Sequence, residues 1–551
     1  MKKLLFCAAA VCVLSGPAIA ADPGIAPARL SEHIKVLSSD AFEGRGPATE
    51  GETKTVAYIS SQFKAAGLQP GGDLVKGARA WTQDVPLARF RTTGPVAVSV
   101  TAGGATETWT QGNQIAIRAA QTGQTRLTIK AAAVVFIGYG VTAPERQWDD
   151  FKGYDLKGKV ALVLVNDPDF ETGKGDFGGK AMTYYGRWTY KYEEAARHAG
   201  ALGFLVIHET PGASYGWNTV KNSNTNEIFD IIRKDPASVH APLEGWVQRD
   251  VTVDLFKKAG LDFEDAKKLA QTRDFKPMEL KGVTFSTDYA IDAQKVVSHN
   301  VVGVLPGTRR PDERIIYTAH WDHLGVGLPD AKGDRIYNGA VDNASGVSGL
   351  IELARAFAHA PRTQRTVQFM AVTAEEKGLL GSEYYATNPL YPLATTVGNI
   401  NMDGAAVSGP AKDISTSGDV GLTLQDDLIA VAKAHGRSFT PDSRPEAGSF
   451  FRSDHFSFAK QGLPALSFGS GRDLVKGGVE AGKAAQEAYV RDRYHQPADE
   501  FDPNWDLSGM AQDLTIAFDL GLELANSREW PEWKAGSEFK AARDKTAAER
   551  K

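Results

Sequence analysis

Apolar and polar positions in the second half of the chain follow a strand period and a helix period in turn. The runs "RIIYTAH", "TVQFMAV", "VGNINMD" and "PALSFG" have the length and composition of buried strands. Between them, "ASGVSGLIELARAFA" repeats apolar residues along one helical face. From Asn300 to about Asn526 this alternation predicts an α/β fold, a mostly parallel sheet flanked by helices on both faces. Binding sites in such sheets form at the carboxyl ends of the strands.

The first half predicts two helices, a set of short strands and a second, smaller α/β unit. "ARLSEHIKVLSSDAFEGRG" and "TEGETKTVAYISSQFKAAGL" are helical in pattern, and Thr49 with Glu52 forms a candidate capping box. Short alternating strands follow from Trp81 to Lys130. From Ala131, "AAAVVFIGYG", "KVALVLV", "YEEAARHAGALG" and "FLVIH" predict two strands, a helix and a strand. The chain from Asp230 to Asp288 is charged and less regular.

The two ends of the chain have their own patterns. "MKK" precedes an apolar run from Leu4 to Leu14, and Ala18–Ala20 has the small residues of a cleavage site. We expect residues 1–20 to be a signal peptide cleaved after Ala20, too short to span a membrane. The mature protein is then periplasmic or secreted and has no membrane anchor. The charged segment 528–551 is expected to be a solvated helix or a disordered tail.

Composition narrows the possible chemistry. The chain has 551 residues, 42% of them apolar and 23% charged, which is ordinary for a globular protein of more than one domain. A net charge of -5 is too small to favour nucleic acid or an anionic membrane as a partner. Both cysteines, Cys7 and Cys12, lie in the predicted signal peptide, so disulfides and thiolate sites are excluded from the mature chain. Any metal ligands must be histidine, aspartate or glutamate.

Acidic residues and histidines follow most of the predicted strands of the second half. Each has an ordinary structural alternative: an aspartate before a helix can cap it, and a glutamate pair can be a solvated strand end. Together they lie near one edge of the predicted sheet. The set comprises His320, Asp342, Glu375, Glu376, Asp403 and His495.

Two divalent cations account for this set. Carboxylates and imidazoles suit such ions, and one carboxylate can bridge two ions about 3.5–4 Å apart. Three carboxylates and one hydroxide balance the charge of two divalent cations, so the centre can be buried. Asp322 is placed to accept the second ring proton of His320. His323 competes as a ligand, although the loop would have to turn back for it to bind.

Five motifs in order resemble the co-catalytic di-zinc exopeptidases, the family of secreted bacterial aminopeptidases, glutamate carboxypeptidases and the transferrin receptor. They are "TAHWDHLG", "NGAVDNASG", "TAEEKGLLGS", "NMD" and "YHQPADE", and the resemblance includes the opening segment "LSSDAFEGRG". It implies the family's phosphorylase/hydrolase-like fold and two Zn²⁺ per chain, with Mn²⁺ or Co²⁺ also suited to the ligands. It implies that Asp342 bridges the ions, His320 and Asp403 complete one site, Glu376 and His495 complete the other, and the Asp342–Asn343 peptide is cis.

The resemblance also implies a domain organisation. "FIGYG", "LKGKVALVLV" and "AARHAGALGFLVIHE" are similar to a protease-associated domain, a non-catalytic insert of exported peptidases. We expect this insert at 131–290, between two parts of a peptidase domain at 21–130 and 291–527.

The implied activity is removal of amino-terminal residues from peptides. A zinc-held hydroxide would attack the scissile carbonyl, with Glu375 as general base and Asp322 supporting His320. Within "SFFRSDHFSFAKQGLPALSFG", Asp454 and His455 are candidates to line the substrate pocket. Arg452 is a candidate partner for a substrate carboxylate, or else a solvated loop arginine.

Other activities remain open from the sequence. They are a carboxypeptidase or dipeptidase, a glutaminyl-cyclase-like acyltransferase with one zinc ion, and a binding homologue without activity, as the transferrin receptor is. The ligands and the base are all present, which disfavours the last. The preferred side chain and the oligomeric state are not indicated by the sequence.

Overall fold

The structure is a computed structural model and describes residues 22–419 and 421–550. The predicted signal peptide, residues 1–20, therefore lies outside the described residues, and its cleavage stays a prediction. Within these two ranges, every helix is too short or too polar to cross a membrane.

The helices of the peptidase-like half and of the inserted unit alternate with strands along the chain. Their bounds are α1 Pro27–Leu37, α2 Glu50–Ala65, α3 Trp188–Arg197, α4 Thr210–Ala213, α5 Trp217–Asn224, α6 Arg249–Lys258, α7 Phe263–Ala270, α8 Gly346–His359, α9 Leu380–Thr387, α10 Thr423–Ala434, α11 His455–Lys460, α12 Gly478–Asp492, α13 Ser508–Asn526 and α14 Lys540–Asp544.

The strands range from two-residue pairings to one very long strand. Their bounds are β1 Gln69–Pro70, β2 Leu74–Val75, β3 Ala78–Arg79, β4 Thr82–Ala102, β5 Ala105–Trp109, β6 Ile115–Ile117, β7 Arg126–Phe136, β8 Thr142–Ala143, β9 Trp148–Asp149, β10 Lys159–Leu164, β11 Gly203–His208, β12 Ile228–Ile231, β13 Leu243–Gln248, β14 Met278–Leu305, β15 Arg310–His320, β16 Gly325–Val326, β17 Ile336–Tyr337, β18 Arg365–Val372, β19 Thr396–Asn401, β20 Asp413–Thr416, β21 Ser438–Phe439 and β22 Ala465–Ser470.

The second half of the chain forms the predicted mostly parallel sheet. Its strand order is β21-β20-β22-β19-β15-β18-β14. The four central strands β22, β19, β15 and β18 run parallel, whereas β14 and β20 pair antiparallel at the flanks. The prediction of an α/β fold is confirmed.

Helices cover both faces of this sheet because successive side chains on each strand point in opposite directions. In β18, Phe369 packs into a large core with helices α1, α2, α8, α10 and α13. Its neighbour Met370 points the other way, into a smaller core with α9 and α11. All eight residues of β18 are buried, so the mostly apolar run "TVQFMAV" was the correct signal for a central strand.

Strand β14 connects this sheet to the inserted unit, and the order continues β14-β7-β10-β11-β13-β6. Strands β7, β10, β11 and β13 are parallel, with α3 packed on β11. The prediction of irregular structure from Asp230 to Asp288 was wrong, since β13, α6, α7 and the start of β14 lie there. Charged residues cover the solvent faces of α6 and α7, while Phe256 and Phe263 are buried.

The apolar core of the inserted unit includes side chains that precede the predicted boundary at residue 131. Val98 and Val100 of β4, Trp109 of β5 and Leu127 of β7 pack together with residues of 132–291. The domain boundaries and the likeness to a protease-associated domain stay predictions.

The capping box predicted for the second helix does not form. Thr49 precedes α2, but its hydroxyl donates to the carbonyl of Gly46, and no side chain caps the helix. The carboxylate of Glu52 accepts from the backbone N–H of Ala48 and the hydroxyl of Ser298. Glu52 thus binds the residue before Thr49 and a residue of the sheet, not the backbone N–H of Thr49 that a capping box would use.

The charged C-terminal segment is packed on the protein, contrary to the expectation of a solvated tail. Trp533 is 1% exposed and donates from Nε1 to the carbonyl of Gly462 at 2.8 Å. Phe539 joins the same core, with its ring 4.9 Å from that of Trp533. Trp533 and Phe539 anchor the segment, and one of its charged residues, Arg543, is also buried at 2% exposure.

Candidate metal centre

The carboxyl ends of three parallel strands bring the candidate residues to one edge of the sheet. His320 is the last residue of β15. Glu375 and Glu376 lie in a short 3₁₀ turn just after β18, and Asp403 lies two residues after the end of β19. Asp342 occupies the irregular segment that leads into α8.

The first histidine faces two carboxylates. Nε2 of His320 lies 3.3 Å from Oδ1 of Asp342 and 3.3 Å from Oδ1 of Asp403. Its other ring nitrogen, Nδ1, lies 3.1 Å from the backbone carbonyl of Asp322, which can only accept a hydrogen bond. The Nε2 lone pair is therefore directed at the carboxylates, as in a metal site.

The second histidine uses the remaining oxygen of the same aspartate. Nε2 of His495 lies 3.3 Å from Oδ2 of Asp342 and 3.1 Å from Oε2 of Glu376. Asp342 thus presents one oxygen to each histidine, which is the geometry of a bridging ligand. The expected cis peptide between Asp342 and Asn343 is present.

The structure places His323 closer to the centre than we expected from the sequence, in which it was only a competing ligand. Nδ1 of His323 lies 2.6 Å from Oε1 of Glu376, on the opposite oxygen from His495. The metal-binding geometry is met by two groups of three residues: His320, Asp342 and Asp403, and His323, Asp342 and Glu376. The loop after β15 does turn back, so either His323 or His495 can complete the second group.

Asp322 has a different contact from the one predicted. Its carboxylate Oδ1 is 3.8 Å from Nδ1 of His320, beyond hydrogen-bond distance, and its backbone carbonyl takes that proton instead. The carboxylate accepts the backbone N–H groups of Glu375 at 3.0 Å and Glu376 at 3.3 Å. Asp322 therefore fixes the turn that carries both glutamates.

Two further residues hold the loops of the centre and were not assigned a role from the sequence. Asp499 accepts the backbone N–H of Asp342 at 3.0 Å. Arg45, 1% exposed, donates to the carbonyls of Trp321 and Gly339. Both lie inside quoted motifs, "YHQPADE" and "LSSDAFEGRG", but only the fold shows which backbone groups they contact.

Charge is concentrated in this centre. Burial raises the pKa of Glu375 well above its usual range, and the carboxylates of Asp403 and Glu376 add to the effect. Burial also acts on His495, but Glu376 and Asp342 outweigh it and raise its pKa to about 10. Four carboxylates and the imidazoles converge here, so the donor set fits two divalent cations, which would neutralise the carboxylates.

A cavity of about 440 Å³ opens beside the centre. Its wall includes Glu375 and Asp403 from the sheet edge and α3 and α5 residues from the inserted unit. Ser223 of α5 contacts Nδ1 of His495 at 2.9 Å. The inserted unit is therefore part of the site.

The three tentative substrate-binding residues have different environments. Arg452 lines the cavity, and its Nη2 donates to the carbonyl of Ala213 at 2.8 Å, so it is not a solvated loop arginine. Asp454 and His455 are both 0% exposed and are not among the cavity-lining residues, contrary to expectation. Burial raises the pKa of Asp454 to about 7 and lowers the pKa of His455 to about 3.

The α/β fold and the cluster of histidines and carboxylates at the sheet edge suit a metallopeptidase. Residues 300–519 match the family model described as Peptidase family M28. The resemblance stated from the five motifs is thereby confirmed.

Curated relatives agree with this assignment over part of their length. A "Probable zinc metalloprotease" of Pyrenophora teres f. teres (strain 0-1) is 38% identical over 103 residues, 19% of this chain and 22% of the relative. "Leucine aminopeptidase 2" of Trichophyton rubrum is 26% identical over 314 residues, 53% of this chain and 57% of the relative. The chain thus matches about a fifth of the first and less than two thirds of the second.

A solved structure agrees in fold. The aminopeptidase from Aneurinibacillus sp. strain AM-1 superposes with a TM-score of 0.53 and 18% sequence identity, covering 91% of this chain and 94% of that chain. At this identity the likeness is one of fold.

Proposed function

We propose that the protein is a di-zinc aminopeptidase. The observation that carries the proposal is the arrangement around Asp342, whose two oxygens face His320 and His495 while Glu375 lies beside them. The name of the Trichophyton rubrum relative supports the choice of aminopeptidase over carboxypeptidase.

Each ion would be held by a histidine and a carboxylate, together with the shared Asp342. His320 and Asp403 would hold one ion, and His495 and Glu376 the other. When bound, zinc ions polarise a carbonyl and lower the pKa of water to about 7.

Glu375 is placed to move the proton. Its Oε2 lies 4.0 Å from Nε2 of His320. Glu375 is therefore close to the candidate ligands but not within hydrogen-bond distance of His320. In the proposed reaction, Glu375 takes a proton from the attacking water as the water oxygen bonds to the carbonyl carbon. It then gives that proton to the leaving nitrogen as the carbon–nitrogen bond breaks.

Replacing Glu375 by glutamine tests the assignment. Glu375→Gln should lower kcat for an amino-acid anilide by about 10²–10⁴-fold, because the proton acceptor is lost. Zinc content by elemental analysis and the melting temperature should stay near wild type.

Glu500→Gln is the matched control, since Glu500 is an exposed glutamate of the His495 loop, and it should retain wild-type turnover. Near-normal kcat in Glu375→Gln would contradict the role of the base. Hydrolysis of N-acetylated peptides at the rate of free peptides would contradict the choice of aminopeptidase.

A further inference from the structure

One face of helix α5 in the inserted unit is turned towards the loop that carries His495. Thr219, Asn222 and Ser223 are spaced i, i+3 and i+4, so their side chains lie on the same side of the helix. The hydroxyl of Thr219 lies 3.5 Å from the carbonyl of Tyr494, and the side-chain amide of Asn222 donates to the carbonyl of His495 at 2.9 Å. The inserted unit thus contacts two consecutive backbone carbonyls of this loop.

The backbone of His495 has a left-handed conformation, with a φ of 55°. Residues other than glycine adopt this conformation at a cost in free energy, so it persists only where neighbouring contacts hold it. The hydrogen bond from Asn222 is one such contact. The preceding residue, Tyr494, is held from the same side, because it packs against the apolar core of the inserted unit. The orientation of His495 therefore depends on that unit.

The imidazole ring of His495 has partners at both of its nitrogens. Nε2 faces Asp342 at 3.3 Å and Glu376 at 3.1 Å, the two carboxylates with which it would hold an ion. Nδ1 lies 2.9 Å from Oγ of Ser223, its only hydrogen-bond partner among residues 22–419 and 421–550. A hydroxyl can accept the Nδ1 proton, and the Nε2 lone pair is then directed at the carboxylates.

His323, the alternative histidine of that site, lacks such a partner within the described part of the chain. Its Nδ1 contacts Glu376 at 2.6 Å, and its Nε2 is buried without a hydrogen-bond partner there. Metal-bound histidines almost always donate their second ring N–H to a neighbouring group. The contact with Ser223 therefore favours His495 over His323 as the ligand.

The two candidate histidine ligands are oriented by different parts of the molecule. Nδ1 of His320 lies 3.1 Å from the backbone carbonyl of Asp322, in its own loop. Nδ1 of His495 instead meets a side chain of the inserted unit. Because the partner of the second ring nitrogen fixes the tautomer and the orientation of the ring, a change at Ser223 should affect one proposed ion site and spare the other.

We propose that Ser223 is a positioning residue for His495, through which the inserted unit sets the zinc affinity of one of the two proposed sites. This inference rests on the proposed di-zinc function and gives the inserted unit a defined part in it. Ser223 accepts the Nδ1 proton and holds the ring with Nε2 towards Asp342 and Glu376. The sequence predicts this unit to be a non-catalytic insert, and the contact makes it a contributor to the metal centre.

Zinc affinity tests the inference without any substrate. For the wild type, competition with a chromogenic chelator should show two zinc ions per chain. Ser223→Ala should weaken the binding of one ion by about 10–100-fold, as is typical when a metal-bound histidine loses the partner of its other nitrogen. The other ion should keep its wild-type affinity.

Two further variants show whether the hydroxyl itself is responsible. Ser223→Thr keeps the hydroxyl and should retain most of the zinc affinity that Ser223→Ala loses. Ser238→Ala is the matched control, since Ser238 is an exposed serine of the same unit outside the cavity wall, and it should bind both ions as the wild type does. Equal losses in Ser223→Thr and Ser223→Ala would contradict a role of the hydroxyl.

Turnover at different zinc concentrations separates positioning from direct contact with the substrate. Because Ser223 acts through a ligand, kcat of Ser223→Ala should fall at limiting free zinc and return to near the wild-type value at saturating zinc, with KM unchanged. A loss of kcat that saturating zinc does not restore would overturn the inference.

Failure of this inference can be told from failure of the peptidase proposal. If Ser223→Ala binds both ions like the wild type, and the wild type cleaves peptides, the positioning role is wrong and the peptidase stands. If one ion is weakened but the wild type cleaves no peptide, the positioning role stands and the peptidase is wrong. Equal weakening of both ions would assign Ser223 to packing between the two units and would also overturn the inference.

Discussion

Glu376 shows how the centre is fixed at the scale of single residues. His323 contacts its Oε1 at 2.6 Å and His495 contacts its Oε2 at 3.1 Å, so neither oxygen is free to rotate away. Burial raises the pKa of Glu376, but the histidines outweigh it and lower the pKa to about 2. Glu376 is therefore held as a carboxylate in the orientation that a metal ligand needs.

His323→Phe should weaken zinc binding, because it removes the contact that orients Glu376. Loss of such a supporting contact typically costs about 10–100-fold in metal affinity. Competition with a chromogenic chelator measures this directly, independently of activity.

His323→Gln, which keeps an N–H donor, should recover part of the affinity. His359→Gln is the control, since His359 is an exposed histidine on α8. Unchanged zinc affinity in His323→Phe would assign His323 to packing alone.

A second histidine makes the stability of the inserted unit depend on pH. His240 contacts Asp230 at 3.0 Å and Glu244 at 3.1 Å. Burial lowers its pKa, but the two carboxylates outweigh this and raise it to about 9.

The pKa of His240 in the folded state lies above its unfolded value of about 6.5. Protonated His240 therefore stabilises the fold, and this contribution is fully present below about pH 6.5. The contribution is lost as the pH rises towards 9. His240→Gln should therefore cost roughly 2 kcal/mol at pH 6 and much less at pH 9.5. Urea unfolding at both pH values measures the difference, and an equal loss at both would exclude the ion pairs as its cause.

At the scale of elements, the C-terminal segment 528–550 behaves as part of the core. Trp533→Ala should destabilise the protein by about 3–5 kcal/mol, because it empties a fully buried site and leaves the carbonyl of Gly462 unpaired. The neighbouring Lys534→Ala, at an exposed ion pair, should change stability by less than about 0.5 kcal/mol. Denaturant unfolding compares the free energies of unfolding of the two variants. If Trp533→Ala lost as little stability as Lys534→Ala, the segment would be dispensable.

The elements that the sequence predicted well are those with one dominant signal. An apolar run such as β18 and the apolar stripe of α8 each indicated their own structure. The packed tail and helices α6 and α7 were missed because charged residues outnumber their few buried aromatic residues.

The sequence predicted the site residues that lie at strand ends. It did not predict the contacts that depend on the conformation of a loop. His320, Asp342 and Glu376 follow from strand order and motif, and the structure places them together. The contact of His323 depends on how the loop after β15 turns, and Asp322 contacts backbone N–H groups that no side-chain pattern reveals. Ser223 comes from a different unit, well before the first motif in the sequence, so only the fold brings it to His495.

For the whole molecule, the metal centre should be a source of stability as well as of activity. Removing bound zinc with a chelator should lower the free energy of unfolding by about 4 kcal/mol when free zinc is about 1,000 times its dissociation constant. The buried carboxylates would then lack countercharge. Calorimetry before and after chelation, with zinc added back, measures the shift.

Chelation should lower the free energy of unfolding much less in His320→Ala, because one of the two proposed zinc sites lacks its histidine in this variant. An equal shift in this variant would locate the stabilising ions elsewhere.

Strand β14 has a consequence for how substrates reach the centre. Its 28 residues pair with β7 and β4 of the inserted unit and then with β18 of the peptidase-like half. From Ile291 to Asn300, between its pairings with β7 and β18, this strand is paired with β4, so the two parts are joined by a two-stranded ribbon, and bending the ribbon would strain its backbone hydrogen bonds. The inserted unit and the sheet edge that carries the candidate ligands are therefore connected through one continuous strand. If the protein is the proposed aminopeptidase, its substrates must therefore reach the centre through the existing cavity of about 440 Å³.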